Sequence, residues 1–222
     1  NNAEDLKKYP RDLQKDTSLL EKLGVHFVFA PAPEEMYSKE EMETAFEFDF
    51  NGLDEVMEGK MRPGHFNGVV QVVSRLFDFI QPTRAYFGEK DFQQLAIIRH
   101  MVERSSMAER YTGLQIIGCP IVREQSGLAM SSRNERLSSQ EKQTAIAISQ
   151  TLFSSVEWAK SATVEEVQQR VIDTINAVQG LEVEYYNIVD KTTLKPTNTF
   201  HNAVGCVTVY CGPVRLIDNI QY

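Results

Sequence analysis

The sequence predicts an α/β domain built on a parallel sheet, followed by a smaller α+β domain. Three observations carry that prediction. In the first half, short apolar strands alternate with amphipathic helices, as in a parallel sheet covered on both faces. In the second half, two strongly capped helices precede three strand-like runs, which fits a small antiparallel sheet. Two polar loops, Gly88 to Asp91 and Pro120 to Arg133, follow strands directly and so lie at the edge where ligands of such sheets bind. The boundary falls near Val122, giving domains 1–122 and 123–222, with Arg123 to Leu128 as the hinge.

The elements follow in order. Leu13, Leu19, Leu20 and Leu23 keep helical spacing in a helix from Glu4 that Gly24 stops. Val25 to Ala30 reads as a strand ended by Pro31 and Pro33, and Thr44 to Phe50 as an edge strand or an extended arm. After Arg62-Pro63-Gly64-His65 comes a long helix with an apolar stripe of Val69, Val72, Val73, Leu76, Phe77 and Ile80, ended by Pro82. Val69, Val72 and Val73 read as core, with one edge free to wall a small apolar pocket. Ala85 to Phe87 is a strand, a helix from Asp91 carries Leu95, Ile98, Met101 and Val102, and Leu114 to Gly118 is another strand. Ser138 with Glu141, and Thr163 with Glu166, are capping boxes for helices reaching about Lys160 and Gly180. Glu182 to Val189, Ala203 to Tyr210 and Val214 to Ile220 are strands, with Gly212-Pro213 as a turn.

The bulk properties narrow the function. The chain has 222 residues, 42% hydrophobic and 24% charged, ordinary for a globular protein. No run approaches the roughly 18 apolar residues of a membrane span. A net charge of −8 argues against nonspecific binding to nucleic acid or anionic membranes. Cys119, Cys206 and Cys211 form no CxxC and fit buried thiols in a reducing cytoplasm.

Against that acidic background the local donors stand out. Met130-Ser131-Ser132-Arg133-Asn134 sets two hydroxyls and a guanidinium in one loop, the donors that a triphosphate needs. Gly88-Glu89-Lys90-Asp91 is a strand-to-helix turn where the backbone is open to a ligand and Lys90 can reach a phosphate. Asp91 caps the helix, takes a ribose hydroxyl, or does both. Arg62 and His65 hold an anion against a helix start, or His65 is simply satisfied by backbone. Gln93 and Gln94 offer donor and acceptor together, suiting a hydroxy acid, or form a solvated helix face. Arg123 is a hinge salt bridge or a phosphate ligand. No Gly-x-Ser-x-Gly elbow makes Ser131 or Ser132 a nucleophile, and His65 has no metal-ligand spacing.

Asp5-Leu6-x-x-Tyr9-Pro10-Arg11, Arg62-Pro63-Gly64-His65-Phe66-x-Gly68-Val69, Phe87 to Leu95 and Gly127 to Asn134 resemble the pantothenate synthetase (pantoate–β-alanine ligase) family, as does Arg215-Leu216-Ile217-Asp218-Asn219. The resemblance spans nearly the whole chain in the right order. It implies a Rossmann-like nucleotidylyltransferase domain with a smaller C-terminal lid, a cytoplasmic homodimer, and condensation of pantoate with β-alanine through an adenylate formed from ATP with Mg2+. Position by position, it implies that Gly88, Glu89 and Asp91 meet the nucleotide, Lys90 the phosphates and Val122 the adenine. Met130, Ser131, Ser132 and Arg133 are its counterpart of a mobile KMSKS loop. Gln94, Arg62, His65, Val69, Val72 and Val73 line the pantoate site, and Asp5 lies near the magnesium-pyrophosphate region. The resemblance also implies an earlier strand and a His-x-Gly-His loop; the chain enters the pattern about 60 residues late, judged by the βαβ unit expected there. A chain truly lacking that segment is expected to have little or no activity and an exposed central sheet edge.

Overall fold

The computed structural model describes residues 12–44 and 46–222. Asp5 and the motif ending at Arg11 lie outside the described residues. The chain divides into two compact units, Asn1–Glu47 and Phe48–Tyr222.

In the first unit, α1 (Leu13–Lys22) is capped by Asp12, whose carboxylate accepts the Lys15 N–H at 2.9 Å, and Gly24 follows its end at φ +80°. The predicted strand Val25–Ala30 is absent: Phe27 is 91% exposed, and no strand pairs with this segment among the described residues. An apolar run becomes a strand only when a neighbour satisfies its backbone groups. Pro33 opens the short helix α2 (Pro33–Met36), and a Ser38–Glu41 capping box opens α3 (Lys39–Glu43).

The second unit begins as an extended arm, with Phe50 buried and edge-on to Phe48. It continues through α4 (Met57–Met61) to α5 (His65–Ile80), β1 (Arg84–Gly88), α6 (Phe92–Glu103) and β2 (Gln115–Cys119). β1 and β2 pair in parallel, Arg84 opposite Gln115 and Gly88 opposite Cys119. α6 is buried around most of its circumference, with Leu95, Ile97, Ile98 and Met101 at its centre. The buried stripe of α5 is Phe66, Val70, Ser74 and Phe77. That corrects the predicted stripe by a rotation: Val69 and Val73 are only half-buried, and Val72 is 43% exposed. The helix carries more apolar side chains than one face can bury.

α7 (Ser139–Trp158) and α8 (Val164–Asn176) start on the two predicted capping boxes. They cover one face of the antiparallel sheet β3 (Leu181–Asp190), β4 (Ala203–Cys211) and β5 (Val214–Gln221). Ile148, Leu152, Val167, Val171, Val207 and Val209 form that core. β4 is central and buried on both sides, so Cys206 and Thr208 face away from the helices while Val207 and Val209 face them. Leu152 is fully buried, and Leu152→Ala is expected to lose about 2–5 kcal/mol in chemical denaturation.

Candidate active site

Two strand-ending loops and one strand of the C-terminal sheet meet at this site. After β1 the chain makes a single 3-10 turn, Glu89–Asp91, before α6. Gly88 is extended, at φ −68°, and a Cβ there would meet no heavy atom within 4 Å. Neither backbone nor packing demands glycine; what it leaves is open space for an approaching ligand. Asp91 stands at the N-cap of α6 but makes no side-chain capping bond, so its exposed carboxylate is not engaged by the helix.

After β2 the chain folds back as a hairpin. Met130 donates to the Val122 carbonyl at 2.9 Å and Glu124 to that of Leu128 at 2.8 Å. Gly127 turns the corner at φ +93°, a conformation open to glycine and costly for other residues. The Val122 carbonyl is thus engaged, and its side chain is 66% exposed. Ser131 then caps a short 3-10 helix, Ser132–Arg136, by accepting the Arg133 N–H at 3.2 Å. Asn134 anchors this helix, donating to Glu124 Oε1 and the Ala129 carbonyl, each at 3.0 Å. Its Oδ1 is buried with no hydrogen-bond partner among the described residues.

Lys90, Ser131, Arg133, Asn134, Arg215 and Asp218 line one small cavity. Predicted donors from both loops therefore converge. Burial lowers the pKa of Lys90, while the charges of Asp91 and Asp218 oppose that shift. The Lys90 ammonium has no ion-pair or hydrogen-bond partner among the described residues, so a half-buried cation faces this cavity without a direct contact, balanced only by the more distant charges of Asp91 and Asp218. Met130, close by in sequence, is 54% exposed.

Asp218 and Asn219, given no role from sequence, hold this arrangement in place together with Arg123. Asp218 on β5 receives both guanidinium nitrogens of Arg123, at 2.7 and 2.9 Å. Arg123 is therefore a salt-bridge residue, and it also lies over the Phe153 ring at 5.0 Å. Asn219 donates to the carbonyls of Glu89 and Lys90 at 2.8 and 3.0 Å, pinning the turn that carries Lys90 to the last strand. Gln93 is buried and structural: its amide donates to the carbonyls of Leu53 and Val56 at 2.7 and 2.9 Å. That removes it from a solvated face and from substrate. Gln94, next along, is half-buried with no partner for its amide among the described residues.

A second network joins α4 to the C-terminal sheet. Arg215 grips Glu58 through two bonds, at 2.8 and 2.7 Å, and also binds Glu184. Tyr185 and Thr208 donate to the same Glu58 carboxylate at 2.9 and 3.1 Å. Burial alone would raise the pKa of Glu58, but Arg215, Tyr185 and Thr208 hold it at about 2. Arg62, one turn after Glu58, approaches it at 3.7 Å and donates to Nε2 of His65 at 3.1 Å. The legible signal was polarity inside an apolar strand: Arg215, Asp218 and Asn219 interrupt β5.

His65 differs from a simple anion holder. Burial, then the charge of Arg62, lowers its pKa to about 4, against a partial pull from Glu58. The ring is neutral at pH 7; accepting from Arg62 fixes the bare nitrogen as Nε2 and leaves Nδ1–H as a donor. Because the folded state resists protonation, the unfolded state binds more protons between pH 6.5 and 4, and stability is lost as pH falls through that window. Glu58, whose carboxylate is depressed, adds a second loss between pH 4.5 and 2. A thermal midpoint followed against pH should decline in both windows, and His65→Gln should flatten the first. An unchanged slope in that variant would contradict the assignment.

Comparison with known proteins follows the same lines. The pantoate-beta-alanine ligase family model matches residues 1–221. A pantothenate synthetase of Phocaeicola vulgatus is 56% identical over 225 residues, covering 100% of this chain and 77% of the relative. One from Bacteroides thetaiotaomicron is 55% identical over 225 residues, with the same coverage. Among solved structures, the pantothenate synthetase of Thermus thermophilus superposes with a TM-score of 0.90 at 38% identity, covering 100% of this chain and 78% of that one. A pantoate-beta-alanine ligase of Francisella tularensis, complexed with beta-gamma ATP and beta-alanine, gives 0.71 at 31% identity, covering 99% and 74%. The chain therefore belongs to the pantoate-beta-alanine ligase family and is an enzyme of that family.

Proposed function

We propose that this chain uses ATP to condense (R)-pantoate with β-alanine, through pantoyl adenylate. The pantoate carboxylate attacks the α-phosphorus, the bond to the bridging oxygen breaks, and pyrophosphate leaves. The β-alanine amine then attacks the acyl carbon, loses a proton and expels AMP, giving pantothenate. The observation that carries this reading is the Lys90 ammonium, with no direct partner among the described residues, in a cavity shared with Ser131 and Arg133. An unpaired, partly buried cation is costly unless an anion arrives to pair with it.

No protein nucleophile is needed, only alignment and stabilisation of charge developing on the phosphates. In this proposal Lys90, Ser131, Ser132 and Arg133 bind the phosphates, while Gly88, Glu89 and Asp91 receive the ribose. Val122 lies against the base, with its N–H left for it, and Met130 belongs to the loop that closes on the triphosphate. Neutral His65 donates through Nδ1 while Arg62 supplies the positive charge toward pantoate. Gln94 takes the pantoate hydroxyls, and the half-buried Val69 and Val73 with Val72 wall its apolar side. Residues 1–122 form the ATP and pantoate domain and 123–222 the lid. Magnesium enters on the triphosphate in this proposal, as Mg2+ commonly rides on substrate phosphates.

The enzyme is further proposed to be a cytoplasmic homodimer. Supporting this, the described cysteines are unpaired, and Phe79, Ile80 and Tyr86 expose 51%, 52% and 62% of their surface. No helix among the described residues is long and apolar enough to cross a membrane.

The test is pantothenate formation with each substrate omitted in turn: product requires all three, and product without pantoate would sink the reading. Gln94→Ala is expected to raise KM for pantoate about tenfold or more, as for one lost hydrogen bond to substrate, with KM for ATP unchanged. Equal effects on both constants would remove Gln94 from the pantoate site.

A further inference from the structure

A cleft remote in composition from the Lys90 cavity lies between one side of α6 along its length and the loop after β3. We propose that it is a second anion site, taking a small molecule that carries two or more phosphoryl groups. Arg99 and Arg104 line one side, Lys191 and Lys195 the other, around a cavity of about 460 Å³. That volume suits a metabolite-sized ligand. Arg104, Lys191 and Lys195 have no side-chain partner among the described residues, while the Arg99 guanidinium reaches Gly118 on β2, where the Glu89 carboxylate also lies.

Two carboxylates, Asp49 and Glu103, also reach the lining, so positive charge exceeds negative by four to two. Asp49 is already engaged, accepting the Asn51 N–H at 2.9 Å. Arg104 has a local reason to be there, as the C-cap of α6 at the negative end of its dipole. Lys191 and Lys195 come from a different element and have none.

Their loop is built to hold its shape. The Asp190 carboxylate accepts the N–H groups of Thr192 and Thr193 at 3.0 and 2.8 Å, and Asn202 donates to its other oxygen at 2.9 Å. Leu194 is fully buried at φ 56°, a left-handed conformation that leucine rarely adopts. The fold thus tolerates local strain in keeping the two lysines on one wall. On the facing wall His100 is fixed by the Asp49 carbonyl at 3.0 Å. No lining residue is shared with the Lys90 cavity, yet Phe92 and Leu95 in this lining flank Gln94 on α6. A ligand here touches the helix that serves the catalytic site.

Calorimetric titration of the chain with tripolyphosphate tests the proposal, using Lys90→Ala to weaken the other phosphate site. The Lys90→Ala protein should still bind tripolyphosphate at one saturable site. Adding Lys191→Gln and Lys195→Gln should weaken that binding about tenfold or more, with the thermal midpoint unchanged, since both side chains lie outside the core. The His100 ring resonance should shift with tripolyphosphate and stay still with sodium chloride of equal ionic strength. Unchanged affinity in the lysine variant, no saturable binding in Lys90→Ala, or a silent His100 would each overturn it.

Discussion

Arg215→Ala is expected to destabilise the second unit by about 3–5 kcal/mol, the cost of stranding buried charge. Arg215, Glu58 and Glu184 keep only 17%, 12% and 15% of their side-chain surface in contact with solvent, so water cannot take over the lost bonds. Removing the guanidinium leaves two carboxylates, one held at about 2 largely by Arg215, with only the longer 3.7 Å contact from Arg62 to offset the charge on Glu58. The pKa of Arg215 is correspondingly raised: burial opposes its charge, but its bonds to Glu58 and Glu184 outweigh that. Arg215→Lys should recover only part of the loss, because an ammonium cannot repeat the fork on Glu58. Chemical denaturation measures both, and a loss under about 1 kcal/mol for Arg215→Ala would mean that the network is screened like a surface pair. The network also reaches Arg62 and His65 through Glu58, so stability and the geometry of the proposed pantoate side are linked.

Lys90→Ala should lower pyrophosphate release about 100- to 1000-fold at saturating ATP, the usual loss when one donor to a transition-state oxyanion is removed. The same change should leave stability unchanged or slightly raised, since Lys90 makes no ion pair among the described residues and its burial is unfavourable to its charge. That opposition between rate and stability separates a functional lysine from a structural one. Normal turnover at saturating ATP would remove Lys90 from the phosphate site.

The fold was most legible where local chemistry decides it. Ser138 with Glu141 and Thr163 with Glu166 name their helix starts through bonds made within one turn. The three C-terminal strands alternate or run apolar between turns, and each appears within a residue or two of its expected limits. Val25–Ala30 failed because a strand needs a partner that its own composition cannot supply. The α5 stripe failed because valines, phenylalanines, Leu76 and Ile80 compete for one face, and only tertiary contacts choose among them. At the site, Lys90, Ser131 and Arg133 could be gathered from loop position, since both loops follow parallel strands. Glu58 could not, because its meaning depends on Arg215, far away in sequence and brought close by folding. Gln93 and Gln94 show the same limit at adjacent positions: one helical step sends the first into the core and leaves the second half-buried without a partner among the described residues.

In the proposed mechanism Lys90, Ser131 and Arg133 close on a triphosphate so that pantoate can be adenylated before the amine is needed. The most direct measurement is single-turnover pyrophosphate release from ATP and pantoate with β-alanine withheld, followed by its addition. A pantoate-dependent burst of pyrophosphate without AMP is expected, then AMP and pantothenate appearing together once β-alanine is added. Pyrophosphate release that does not depend on pantoate, or that waits for β-alanine, would contradict it.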